Sequence, residues 1–91
     1  MDSKGEAKVA ISEMISGVDW MNPYLLDEIK EKFKDISEES IDAFYLEALQ
    51  QKILSMSVAE LKAALTEQEQ MTSANQNFLL QELIEQQLES A

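Results

Sequence analysis

The chain has 91 residues with seven Lys or Arg against eighteen Asp or Glu, a formal net charge of −11, and no His or Cys. All seven cations are Lys, so the chain carries no Arg fork for bidentate capture of phosphate or carboxylate. These absences argue against disulfides, thiolate catalysis, Cys-based zinc sites and His-based acid–base chemistry, and the charge argues against direct nucleic-acid binding. The apolar share of 45% is that of a globular protein rather than an acidic disordered tail.

The length corresponds to a single helical domain over residues 1–91, with 1–5 expected to be loose. The start, Met-Asp-Ser-Lys-Gly-Glu, has neither the basic region nor the apolar run of a signal peptide. No segment approaches the roughly 18 apolar residues of a membrane span. Cytoplasmic location without membrane attachment is the expectation, although a chain exported by a specialised machine would look the same.

Gly occurs only at positions 5 and 17 and Pro only at 23, so Tyr24 to Ala91 contains neither. Tight turns with positive φ favour Gly, which makes a β-rich fold hard to build from that segment. The expected fold is all-α: a small bundle of four or five short helices arranged as antiparallel hairpins.

The first helix is expected over Glu6 to Ser16. Ala7, Ile11, Met14, Ile15 and Val18 recur at helical spacing, and Gly17 stands where a left-handed cap would fall. Asp19-Trp20-Met21 reads as a connector. Asn22-Pro23 is a strong helix start, an N-cap followed by Pro at the first helical position. The second helix then runs to about Lys34, with Leu25 or Leu26, Ile29 and Phe33 inward and a Glu28–Lys32 pair at i,i+4.

Ser37 is the expected cap of the third helix. There Ile41, Phe44, Tyr45, Ala48, Leu49, Ile53 and Met56 hold the strongest helical period in the chain. Ser57 with Glu60 fits a capping box for a fourth helix carrying Val58, Leu61, Ala64 and Leu65. The apolar signal fades over Thr66 to Asn77, TEQEQMTSANQN. Residues 66–77 read as a connector or an exposed helix, with a break favoured near Thr72 to Asn75 and Ser73 with Gln76 as a second capping box. The last helix carries Phe78, Leu79, Leu80, Leu83, Ile84 and Leu88. Its stripe from Leu79 to Leu88 covers about half the circumference, wider than the arc of a little over 100° that a surface helix needs. The surplus points to a second contact, with another chain. The expected core is Ile11, Met14, Ile15, Leu26, Ile29, Phe33, Ile41, Phe44, Tyr45, Leu49, Ile53, Leu61 and Leu65. The scattered Gln of the C-terminal half read as a solvated face.

Charge is uneven. Residues 1–34 hold seven acids and five Lys, a net of −2, whereas residues 35–91 hold eleven acids and two Lys, a net of −9. Glu38 and Asp42 lie one turn apart, but helix-borne di-metal sites also use a Glu-x-x-His motif, which is absent here. No catalytic residue, cofactor or metal is expected. Acyl carrier proteins are also small, acidic and helical, but their Asp-Ser-Leu attachment motif has no counterpart here.

The segment Ile36 to Leu49, ISEESIDAFYLEAL, resembles the Ser-Glu-Glu helix at the C-terminal docking ends of modular polyketide synthases, over fourteen of the ninety-one residues. That resemblance implies a docking or dimerisation module of a multi-subunit synthase.

The expected function is non-enzymatic: an acidic helical adaptor, assembly factor or chaperone-like protein that binds a protein partner, a second copy, or both, through apolar helix surface. Phe78, Leu79, Leu83 and Leu88 are the first candidates for that surface. Trp20 and Tyr24 follow, although a lone Trp in a small bundle more often packs on the core. The alternative is an acidic inhibitor that mimics nucleic acid and blocks a basic site.

Overall fold

A computed structural model describes residues 3–90. It is all-helical: α1 (Ser3–Ser16), α2 (Leu25–Lys32), α3 (Glu38–Leu54), α4 (Val58–Glu69), a 3-10 turn (Ser73–Asn75) and α5 (Phe78–Ser90). Among the described residues there is no strand and no helix long and apolar enough to cross a membrane.

Helix α3 is the central element, packed against α1, α2 and α5, while α4 packs on α5. Its start follows from its cap: the Ser40 N–H donates to Ser37 Oγ at 3.3 Å. Its inner face is the expected one, with Ile41, Tyr45, Leu49 and Ile53 buried one turn apart. Helix α4 begins with the expected capping box. The Glu60 N–H donates to Ser57 Oγ, and the Ser57 N–H donates to Glu60 Oε1. Hydrogen bonding to the Glu60 carboxyl from Ser57, its backbone N–H first and its side chain second, holds that carboxyl below its ordinary value.

Directions can be read from contacts. Lys30 in α2 meets Asp42 early in α3 at 3.2 Å, and Trp20, ahead of α2, lies under Lys52 late in α3. α2 therefore runs against α3. Asn77 reaches Tyr45, and Leu83 to Ser90 lie beside Gln50 to Leu54, so α5 runs with α3.

Of the expected core, Ile11, Ile15, Ile29, Ile41, Tyr45, Leu49, Ile53 and Leu61 are buried. Met14, Leu26, Phe33, Phe44 and Leu65 pack partly buried at its edge. Trp20, Leu25, Ile36, Ala64, Leu80 and Ile84 join the core. Leu25 rather than Leu26 is the buried member of its pair, because Leu25 and Ile29 are one turn apart on the inner face of α2.

Several local expectations are corrected. Helix α1 starts at Ser3, so residues 3–5 are helical rather than loose; Met1, Asp2 and Ala91 lie outside the described residues. Gly17 is not left-handed: its N–H closes a turn onto Met14 O at 3.1 Å, with negative φ. Val18 is almost fully exposed, because α1 ends at Ser16 and its stripe does not extend into the turn. Val58, the first residue of α4, is also exposed. α2 becomes regular only at Leu25, although Asn22 Oδ1 does accept the Tyr24 N–H at 2.9 Å and starts the turn. Helix α2 ends at Lys32, and its local ion pair is Glu31–Lys34 at 3.2 Å, not Glu28–Lys32.

Candidate protein-binding surface

The largest departure from the sequence reading falls in the polar stretch between α4 and α5. The break is where it was expected, with the 3-10 turn at Ser73–Asn75. Its chemistry differs. Ser73 and Gln76 form no capping box; the Gln76 amide donates to Met71 O at 2.8 Å. The cap of α5 is Asn77, whose Oδ1 accepts the Leu80 N–H at 3.1 Å.

Gln68 and Asn77 are both buried, Gln68 to 0% exposure, although Gln68 belongs to a series read as a solvated face. They hold each other: the Asn77 N–H donates to Gln68 Oε1 at 2.7 Å. The Asn77 amide also donates to Tyr45 Oη at 3.2 Å, and both side-chain amides point at Met21 O, at 3.4 and 3.5 Å. No buried side-chain polar atom among the described residues lacks a partner. The cluster is fully satisfied, as burial of amides requires. Outside it, Tyr24 Oη donates to Ala74 O at 2.8 Å. The connector before α2 is thereby clasped to the turn before α5.

Burial pushes the Tyr45 phenol above its ordinary value of 10.0, while the hydrogen bond from Asn77 works in the opposite direction. Because the folded state favours the neutral phenol, this contribution is intact below the ordinary value and is lost as pH rises through the raised one. An alkaline fall in stability is expected, reduced in Tyr45→Phe relative to the parent chain; urea midpoints followed between neutral and strongly alkaline pH measure it. Equal alkaline losses in the two proteins would place the effect elsewhere.

The clasp fixes the first turn of α5, where two large apolar side chains face solvent. Phe78 is 62% exposed and Leu79 is 41% exposed, beside the buried Leu80. The broad stripe inferred from sequence is therefore divided. Leu80 and Ile84 enter the core, Leu83 and Leu88 pack partly buried against it, and Leu79 remains outside. Projected at about 100° per residue, Phe78 falls off the stripe and within roughly 40° of Glu82, Glu85 and Glu89. All three glutamates are exposed.

A shallow groove of about 270 Å³ opens where the C-terminal halves of α3 and α5 meet. It is lined by Gln50, Ile53, Leu54, Leu83, Gln86, Gln87 and Ser90. Leu54 is 67% exposed and is the most open large apolar residue in any helix. Leu83 faces this groove, one turn along α5 from Leu79.

Of the other candidates, Trp20 is buried, with Lys52 Nζ 5.2 Å from its ring centroid. It belongs to the core. Tyr24 is 48% exposed, its hydroxyl engaged by Ala74. Structure thus groups Phe78, Leu79 and Leu83 on α5, adds Leu54, which the sequence reading did not single out, leaves Tyr24 apart at the clasp and places Trp20 in the core. The segment Ile36 to Leu49 buries its apolar face within the chain, through Ile41, Tyr45 and Leu49. Asp42 of the Glu38–Asp42 pair is engaged by Lys30.

Compared with protein-family models, with curated proteins and with solved structures, the chain has no significant match.

Proposed function

We propose that this chain is a non-enzymatic acidic helical protein that binds another protein through apolar helix surface, in an adaptor, assembly or chaperone-like role. The exposure of Phe78 and Leu79 supports this reading most directly. Two adjacent large apolar residues stand in solvent on a turn whose backbone is held by Asn77 and Gln68. A rigid scaffold under an exposed aromatic residue lowers the ordering cost of binding.

Affinity capture from lysate, washed at low and high salt and read by mass spectrometry, tests it. A protein retained at high salt by the parent chain and lost with Phe78→Ser/Leu79→Ser is the expected result. Both positions are exposed, so the variant is expected to stay within about 0.5 kcal/mol per site of the parent in stability. Capture unchanged by the substitutions would sink this surface as the binding site.

The second reading, an inhibitor whose acidic face blocks a basic site, draws on the row Glu82, Glu85 and Glu89. Carboxylate-driven capture is lost in the high-salt wash, because exposed charges are screened over about 10 Å at 0.1 M salt.

A further inference from the structure

The charge around the exposed face of α5 narrows the partner, and this inference rests on the protein-binding reading above. Two features lie side by side on the molecule. One is apolar: Phe78 and Leu79 in the first turn of α5, then Leu83 and Leu54 along the groove it shares with α3. The other is acidic: Glu82, Glu85 and Glu89, which project within about 40° of Phe78. Among the described residues none of these glutamates has an ion-pair partner; the recorded pairs use Glu31, Asp42 and Glu47. Helix α5 contains no Lys. Only Lys52 and Lys62 follow residue 35, and Lys52 is engaged over Trp20.

We propose that this face receives a basic amphipathic helix from another protein, whose apolar stripe lies along Leu79, Leu83 and Leu54 and whose Lys or Arg side chains meet Glu82, Glu85 and Glu89. The lengths agree. Thirteen residues of α5 present about 20 Å of helix, enough to engage anchors spaced i, i+3 or i+4, and i+7 on a partner. The charge also selects against a second copy of this chain. Two α5 faces brought together would oppose two glutamate rows with no cation on either helix, which disfavours self-association. A basic helix meets the same row with complementary charge. An acidic or neutral one gains only the apolar contacts.

Three synthetic peptides of equal length test the inference against the full chain: an amphipathic helix with Lys flanks, the same stripe with Glu flanks, and a scramble of the Lys peptide. Titration calorimetry and peptide circular dichroism supply the readouts. The Lys-flanked peptide is expected to bind and gain helicity, with each of the others weaker by about tenfold or more. Leu54→Ser/Leu79→Ser is expected to weaken its binding about tenfold or more without shifting the melting curve. Glu82→Gln/Glu85→Gln/Glu89→Gln is expected to weaken it and flatten its salt dependence. Sedimentation is expected to show a monomer at low salt.

Equal binding of the Glu-flanked peptide, lost in Leu54→Ser/Leu79→Ser, would overturn the basic partner and leave the protein-binding reading standing. Equal binding of the scramble would overturn helix docking, leaving charge alone. A dimer broken by Leu54→Ser/Leu79→Ser would overturn the inference in favour of a second copy. If no peptide binds while lysate capture still depends on Phe78 and Leu79, the inference fails alone. If that dependence is missing too, both fail.

Discussion

Leu49→Ala is expected to lower the unfolding free energy by about 3 kcal/mol, within the usual range for a buried leucine truncated to alanine. Leu49 is fully buried near the middle of α3, the helix that packs against α1, α2 and α5. A cavity there removes packing at the helix against which three others rest. For a chain of this size the melting temperature should fall by about 12–24 °C. Leu54→Ala provides the internal comparison. It lies on the same helix five residues later, carries the same side chain, and is mostly exposed. Its cost should stay below about 0.5 kcal/mol. Thermal melts of the two variants followed by far-UV circular dichroism give both numbers. Similar melting temperatures would mean that α3 is not the centre of the core.

The same contrast shows why α3 was legible from sequence. Its buried positions, Ile41, Tyr45, Leu49 and Ile53, recur at every fourth residue, and Ser37 and Ser57 punctuate either side. Tertiary packing then had one consistent face to use. Where the period was short, the outcome depended on where the helix began or stopped. Val18 continued the spacing of Ile11 and Ile15 on paper, but the helix had already ended at Ser16. Leu25 and Leu26 were interchangeable until the start of α2 fixed the phase.

The clasp was not legible for a different reason. Gln68 and Asn77 are polar residues in a polar stretch, and nothing local marks them as buried. Their partners, Met21 and Tyr45, lie 32 to 56 residues away from them in the chain. Only the folded arrangement supplies the acceptors that make burial of two amides tolerable. The candidate surface was legible in part. The excess width of the α5 stripe is real, since Leu79 stays exposed while Leu80 and Ile84 are buried. Leu54 was missed because it ends the most regular helix on its outer side, where sequence alone gives no sign of the groove it shares with α5.

Asn77→Ala carries the second large expected effect, and here two contributions can be separated. The first is the cap: Oδ1 accepts the Leu80 N–H, and its loss costs about 1 kcal/mol. The second is the clasp. Without the amide, Tyr45 Oη loses its donor within a buried site, and Met21 O keeps only the long contact from Gln68. Leaving such groups unpaired costs about 1–3 kcal/mol. The total should reach about 2–4 kcal/mol, a large share of the roughly 5–15 kcal/mol of a whole domain. Asn77→Ser divides it. Serine caps a helix nearly as well as asparagine but is too short to replace the amide that spans to Tyr45. It should therefore recover about 1 kcal/mol over alanine and leave the remainder lost. A double-mutant cycle of Asn77→Ala with Tyr45→Phe, read by urea unfolding, should show the pair to be less than additive. Full recovery by serine, or strict additivity with Tyr45→Phe, would assign the whole effect to the cap. If the clasp matters, it matters for the surface too. Asn77 immediately precedes Phe78 and Leu79, so a loosened α5 start presents both side chains in more conformations. Asn77→Ser at temperatures where it remains folded should then weaken partner capture without changing any residue of the exposed face.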